Sequence, residues 1–234
     1  MPLLDRRQVL SFEELADVAR LAAGMGVRKV RLTGGEPLVR KGLTQLVRML
    51  AEIPGLYTLA MTTNGLLLSE HAEELARAGL DRVNISLDAV DAGRYAELTH
   101  GGDVRRVFEG IASAKDAGLT PIKVNCVVRE SSEEADARDV ARFCSENGLE
   151  ARFIREMDLR RGKFSIVEGG SGGDCGRCNR LRLTSNGDIR PCLFSDLAFN
   201  VRVLGAAEAI RAALGAKPEA GSACENHWFR AIGG

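Results

Sequence analysis

Three cysteines near the carboxyl terminus, Cys175, Cys178 and Cys192, stand in "CGRCNRLRLTSNGDIRPC" as a C-x2-C pair followed by a third. Between them, in "LRLTSNGDIRP", an Asn186-Gly187 turn separates two short alternating runs, a hairpin signature that folds Cys192 back beside the pair. Three converging thiolates suit zinc or an iron–sulfur cluster, and three protein ligands leave one position of the metal open. Cys224 and His227 are further donors that complete a zinc site if one forms there. Arg177, Arg180 and Arg182 stand among the thiols, and Arg180 and Arg182 share one strand face. A planar guanidinium fork there suits an anionic substrate; the plain alternative is a solvated basic face. Cys126 and Cys144 fall in a strand-like and a helix-like segment and read as packing residues.

A second stretch, "RLTGGEPLVR" (31–40), sets two glycines, a carboxylate and a proline after a strand-like run. Gly34 and Gly35 permit close backbone approach, Glu36 offers an acceptor for a cationic amine, and Pro37 fixes the exit. Neither the G-x-G-x-x-G nor the Walker pattern is present. On its own physics the loop reads equally as a structural turn and as a site.

The elements that position these residues follow one repeated unit: a helix-period segment, a glycine, then a β-branched run. Strands are expected at 27–33, 57–63, 82–88, 121–128 and 150–157, each after a glycine, with a capping box at Ser11 and Glu14 opening the first helix. Phe12, Leu15, Val18 and Leu21 fall towards one face of that helix. Alternation of this kind implies parallel strands joined by right-handed crossovers, in an open doubly wound sheet or a barrel. The strands carry polar groups at alternate positions: Arg31 and Thr33; Asn84, Ser86 and Asp88; Lys123 and Asn125. Such groups are costly to bury unpaired, so the shared face lines a cavity for a polar ligand, with Thr62, Ser86 and Met157 near carboxyl-terminal strand ends. A barrel interior is favoured over a flat sheet; a self-satisfied polar network is the alternative.

Composition sets the outer bounds. The chain has 234 residues, 45% of them hydrophobic, enough for one large core. Lys+Arg and Asp+Glu balance at 32 each, so no global field draws it to nucleic acid or membrane, and any anion site is local. No apolar run approaches a membrane span and no h-region opens the chain, so a cytoplasmic protein is expected. In that compartment the six cysteines are not a disulfide framework.

Taken together, "RLTGGEPLVRKGL", "MTTNGLLL", "VNISLDA", Lys123-Val124-Asn125, "FIREMD", "CGRCNRLRLTSNGDIRPCLF" and the terminal "IGG" resemble the radical SAM GTP 3′,8-cyclase family of molybdenum cofactor biosynthesis, in order and over most of the chain. The resemblance implies a partial (βα) barrel holding S-adenosylmethionine at Gly34, Gly35 and Glu36, with Ser86 and Met157 along the rest of that molecule. It implies GTP as substrate, held by Arg31, Thr62, Lys123, Arg180 and Arg182. It also implies a C-terminal 4Fe-4S cluster on Cys175, Cys178 and Cys192 whose open iron meets guanine, and a catalytic tail ending in Gly233 and Gly234. A homodimer is the oligomer it suggests.

Two departures from the family stand out. The N-terminal 4Fe-4S cluster of the family is held by a C-x3-C-x2-C motif, and no cysteine precedes Cys126 here. The first barrel strand is accordingly expected to be missing, leaving an open edge at 27–33, unless a partner supplies the segment. Between Met157 and Cys175, "DLRRGKFSIVEGGSGG" stands for a longer family segment and reads as a flexible connector. The expected division is 1–158 as the truncated barrel, 159–174 as a shortened linker and 175–234 as the cluster and substrate region. Three function classes follow: a GTP cyclase completed from outside, an inactive relative that binds GTP or S-adenosylmethionine as a regulatory module, and a protein built around a single iron–sulfur or zinc site.

Overall fold

The computed structural model describes residues 5, 7–158, 161–162 and 164–222. Helix α1 (Phe12–Gly24) leads into five parallel strands, β1 (Lys29–Leu32), β2 (Thr58–Thr63), β3 (Arg82–Ser86), β4 (Lys123–Val128) and β5 (Glu150–Arg155). They are joined by α2 (Leu43–Ala51), α3 (Leu68–Arg77), the pair α4 (Ala92–Thr99) and α5 (Val104–Asp116), and α6 (Ala135–Glu146). All five strands appear where the sequence places them.

Spatial order equals sequence order, β1-β2-β3-β4-β5. With right-handed crossovers every step goes the same way and every helix falls on the same face, so there is no switch point and the winding is that of a partial barrel. The helix-facing side is apolar: Met61, Val83, Ile85 and Val124 are fully buried there against Val47, Leu68, Val107 and Val140. Cys126 and Cys144 belong to the same core, and burial pushes their thiols up to about 12 and about 11. Among the described residues β1 pairs with β2 alone, so it is an edge strand.

The capping box forms: Ser11 Oγ accepts from the Glu14 N–H at 3.2 Å and the Glu14 carboxylate accepts from the Ser11 N–H at 2.7 Å. The expected apolar stripe of α1 is corrected, because Leu21 is 45% exposed. The helix is gripped from two sides instead. Phe12, Leu15 and Ala19 meet the barrel core, while Val18 and Ala22 meet a second core formed with the C-terminal region.

That region contains a three-stranded antiparallel sheet, β6 (Arg182–Leu183), β7 (Asp188–Arg190) and β8 (Phe199–Asn200), then α7 (Val201–Leu204) and α8 (Ala206–Gly215). Gly187, at φ +92°, closes the expected hairpin by donating to the Thr184 carbonyl at 3.0 Å. Leu10 and Val18 share a core with Ile189, Val201 and Ile210. Arg202 clamps Glu14 with two contacts of 2.8 Å and also donates to the Arg7 carbonyl at 2.7 Å.

The glycine-rich stretch before Cys175 is not the loose connector its composition suggests. Phe153 and Glu168 exchange two backbone hydrogen bonds of 3.1 Å, and the Val167 N–H donates to the Gly172 carbonyl at 2.9 Å, so the segment folds against β5. Its glycines serve close packing: a Cβ on Gly173 would lie 1.8 Å from the Ser165 carbonyl oxygen.

Candidate functional site

Pleating sorts the barrel side chains. The register pairs Arg31 with Ala60, Ala60 with Arg82, Thr62 with Asn84, Asn84 with Lys123, Ser86 with Asn125, Lys123 with Glu150, and Asn125 with Arg152. All of these therefore face the lumen, away from the helices. Lys29, Arg31, Arg82, Lys123 and Arg152 gather there with Glu150, which takes Lys123 as an ion-pair partner. Burial, followed by the charges of Arg180, Arg152 and Arg82, pushes the Arg31 guanidinium down to about 10. Burial also lowers Arg152, with Arg82 and Arg180 acting in the same sense against Glu150. Lys29 is lowered by burial and by Arg82, Arg31, Lys123 and Arg152. Arg31, at about 10, therefore stays cationic at neutral pH. Among the described residues Arg82 and Arg152 each keep a buried Nε without a hydrogen-bond partner, and fully buried Asn84 has neither amide atom engaged. Five cations on one face, with Glu150 among them, attract a polyanion.

At the carboxyl end of β1 the Gly-Gly-Glu-Pro loop turns over this lumen. Gly34 has φ +148°, which disfavours any side chain, and a Cβ placed on Gly34 or Gly35 meets nothing within 4 Å. The backbone thus borders open space that a ligand can fill. Glu36 is engaged by the protein itself: its carboxylate accepts from the Leu38 N–H at 3.1 Å, Thr63 Oγ1 at 2.8 Å and the Asn64 N–H at 2.7 Å. The loop is thereby locked to the end of β2. Thr62 is half-buried on the lumen wall and Ser86 is exposed at the end of β3.

The C-terminal segment closes on the same side. Arg180 acts electrostatically on both Arg31 and Arg152, so the arginines of the cysteine segment and of the barrel form one field. Arg182 is lowered by burial and by Arg180, and is drawn the other way by Cys192 and Cys178. Met157, Phe164 and Cys192 pack against Leu193 and Phe194, which brings the segment after β5 and the third cysteine to one small core. Arg177 is exposed on the short 3-10 turn Cys175–Arg177.

All three cysteines are free and half-buried. The Cys178 N–H donates to the Cys175 carbonyl at 3.1 Å, and the Phe194 N–H donates to Cys192 Sγ at 3.4 Å. Burial alone would raise the Cys178 thiol, but the Arg180 N–H, Lys217 and the Arg180 charge outweigh it and the net shift is downward. Among the described residues no three His, Cys, Asp or Glu side chains stand close enough to hold a metal ion. A single tetrahedral zinc with Zn–S bonds of about 2.3 Å requires thiolates roughly 3.8 Å apart. Three thiols in a cationic setting, two of them receiving a backbone N–H, are a donor set of the kind that zinc or an anionic iron–sulfur cluster takes.

Among the described residues no comparable set of thiols stands beside the glycine loop. The cysteines before Cys175 are Cys126 and Cys144, both buried on the helix side with raised thiols. Gly233, Gly234, Cys224 and His227 lie outside the described residues.

Sequence reasoning passed over Arg82 and Arg152, although their spacing of two from Asn84 and of two from Glu150 put them on the lumen face. It had no means of finding Lys217, which reaches the cysteines from beyond α8. No described helix is long and apolar enough to cross a membrane.

The profile of the Radical SAM superfamily matches residues 2–144. The GTP 3′,8-cyclase of Moorella thermoacetica is 36% identical over 275 residues, covering 97% of this chain and 85% of that protein. That of Pelotomaculum thermopropionicum is 39% identical over 238 residues, covering 82% and 73%. The Moorella alignment is longer than the 234 residues here, so within it the relative carries residues that this chain lacks. Among solved structures, anSMEcpe with bound AdoMet and Kp18Cys peptide superposes with a TM-score of 0.63 at 17% identity, covering 95% of this chain and 79% of that one. Streptococcus suis SuiB bound to S-adenosylmethionine gives 0.62 at 20% identity, covering 82% and 56%. At these identities the structural likeness concerns the fold.

Proposed function

The chain belongs to the radical SAM superfamily and, within it, to the GTP 3′,8-cyclase family, and from that premise we propose that its lumen binds GTP with the triphosphate on the cationic face. The observation that carries this is the single field formed by Arg31, Arg82, Arg152 and Arg180. Arg31, Lys123 and Arg180 take phosphate oxygens, Arg82 and Arg152 add positive charge behind them, and Thr62 contributes a hydroxyl. Arg182 feels both Arg180 and the thiols of Cys192 and Cys178, which supports a place for it at the cysteine end of the bound nucleotide.

In this reading Cys175, Cys178 and Cys192 hold a 4Fe-4S cluster, and S-adenosylmethionine lies along Gly34 and Gly35 with Ser86 and Met157 on its flank. Glu36 serves by fixing the loop rather than by reaching out. With both family clusters bound, the chemistry supplied is reductive cleavage of S-adenosylmethionine and conversion of GTP to 3′,8-cyclo-7,8-dihydro-GTP. This chain's residues bind and orient the two ligands and exclude water around the ribose. The sequence contains no C-x3-C-x2-C motif, and we propose that a further segment or a second polypeptide supplies the ligands of the radical-generating cluster. A homodimer and the tail glycines Gly233 and Gly234 are further parts of the proposal.

The same absence favours a second reading, in which the 234 residues act as a GTP- and S-adenosylmethionine-binding module. Both readings predict saturable GTP binding by calorimetry of the anaerobic chain, weakened about tenfold or more by Arg180→Ala or Lys123→Ala. Absence of binding to the unsubstituted chain removes both. Formation of 5′-deoxyadenosine by the isolated chain with reductant overturns the assignment of the missing ligands.

A further inference from the structure

We propose that Lys217 is the positioning residue of the three-cysteine centre, clamping the loops that carry Cys178 and Cys192 and setting the charge felt by the group they hold. This rests on the cluster assignment made above. The Lys217 ammonium donates to the Arg180 carbonyl at 2.7 Å, the Pro191 carbonyl at 2.9 Å and Cys178 Sγ at 3.7 Å. An ammonium has three N–H donors, and each has an acceptor here. The acceptors lie on both sides of the centre. Arg180 follows Cys178 by two residues, and Pro191 immediately precedes Cys192.

A solvent-facing lysine would leave those carbonyls to water and spread over many rotamers. Lys217 is instead anchored at its base, where its N–H donates to the Leu214 carbonyl at 3.2 Å beyond the end of α8. Helix α8 buries Ala209, Ile210 and Ala213 in the core shared with Leu10 and Val18 of the amino-terminal region. The clamp therefore references the cysteine loops to the rigid α1–α8 packing. By holding the Arg180 carbonyl it also fixes the residue whose side chain joins Arg31 and Arg152 in the lumen.

A cation donating to a ligating sulfur stabilises the more negative, reduced state of an iron–sulfur cluster and raises its potential. Lys217 thus acts on the centre through both geometry and charge. The full chain, reconstituted anaerobically with iron and sulfide, is compared by spectroscopic redox titration with Lys217→Gln and Lys217→Arg. The expected result is a shift to more negative midpoint potential in Lys217→Gln, with Lys217→Arg close to the unsubstituted chain. In the apo-chain, Lys217→Met is expected to speed hydrogen exchange at Leu193 and Phe194 several-fold while α1 stays protected. An unchanged potential in Lys217→Gln at full iron content overturns the charge role, and unchanged exchange in Lys217→Met overturns the clamp. An unsubstituted chain that takes up zinc and no cluster overturns the cluster assignment and the charge role with it, leaving the clamp to be judged by exchange alone.

Discussion

Glu36 shows how a residue's role depends on which partners reach it first. Its carboxylate receives three donors from the protein, two of them from the end of β2, and this holds the glycine loop against open space. Removing these acceptors in Glu36→Ala strands Thr63, which is 2% exposed, and two backbone N–H groups. The expected loss is about 2 kcal/mol or more by urea denaturation, together with weakened S-adenosylmethionine binding. An unchanged midpoint would mean that the loop holds its shape without the carboxylate. The sequence marked Glu36 as an acceptor for a cationic amine and could not reveal its partners here, because Thr63 and Asn64 lie 27 and 28 residues away. Lys123 is comparable: its lumen position was legible from strand alternation, its ion pair with Glu150 was not.

Between elements, the decisive contact joins α1 to the segment beginning at Asn200. Glu14 serves twice, closing the capping box and accepting Arg202. The Arg202 hydrogen bond, followed by that from the Ser11 N–H, pulls its carboxyl from 4.5 down to about 2. A depressed folded pKa means that the contribution is complete above 4.5 and is lost as pH falls from there through about 2. Thermal melts between pH 7 and pH 2 should therefore show a destabilisation of the unsubstituted chain that is reduced in Glu14→Gln. Both side chains are 39% exposed, so solvent screens the pair and the effect is a modest shift of slope. Parallel pH profiles for the two proteins would assign the acid sensitivity elsewhere. The capping half of this arrangement was plain in the Ser11-x-x-Glu14 spacing; the docking half depends on a residue 188 positions away and has no local signature.

At the scale of the whole molecule, the five strands and the barrel-type winding were readable because glycine punctuation and alternating polarity are local signals, as in "RVNISLD". The approach of Arg180 to the lumen arginines was not. Composition made 159–174 look loose, whereas Gly169, Gly172 and Gly173 let the segment pack tightly beside β5. The division into barrel, linker and cluster region remains our proposal, and the shared core qualifies it: Leu10, 1% exposed, packs with Ile189, Val201 and Ile210. Leu10→Ala is expected to cost about 2–5 kcal/mol and to lower iron content after reconstitution, since the cysteine loops lean on the same packing. Loss of stability at full iron content would separate the two.

The central claim is that the cationic lumen and the cysteine loops form one nucleotide site. A crystal structure of the anaerobically reconstituted chain with GTP tests it most directly. The triphosphate is expected among Arg31, Lys123, Arg152 and Arg180, with guanine towards Cys175, Cys178 and Cys192. GTP bound elsewhere, with the lumen arginines untouched, would contradict it.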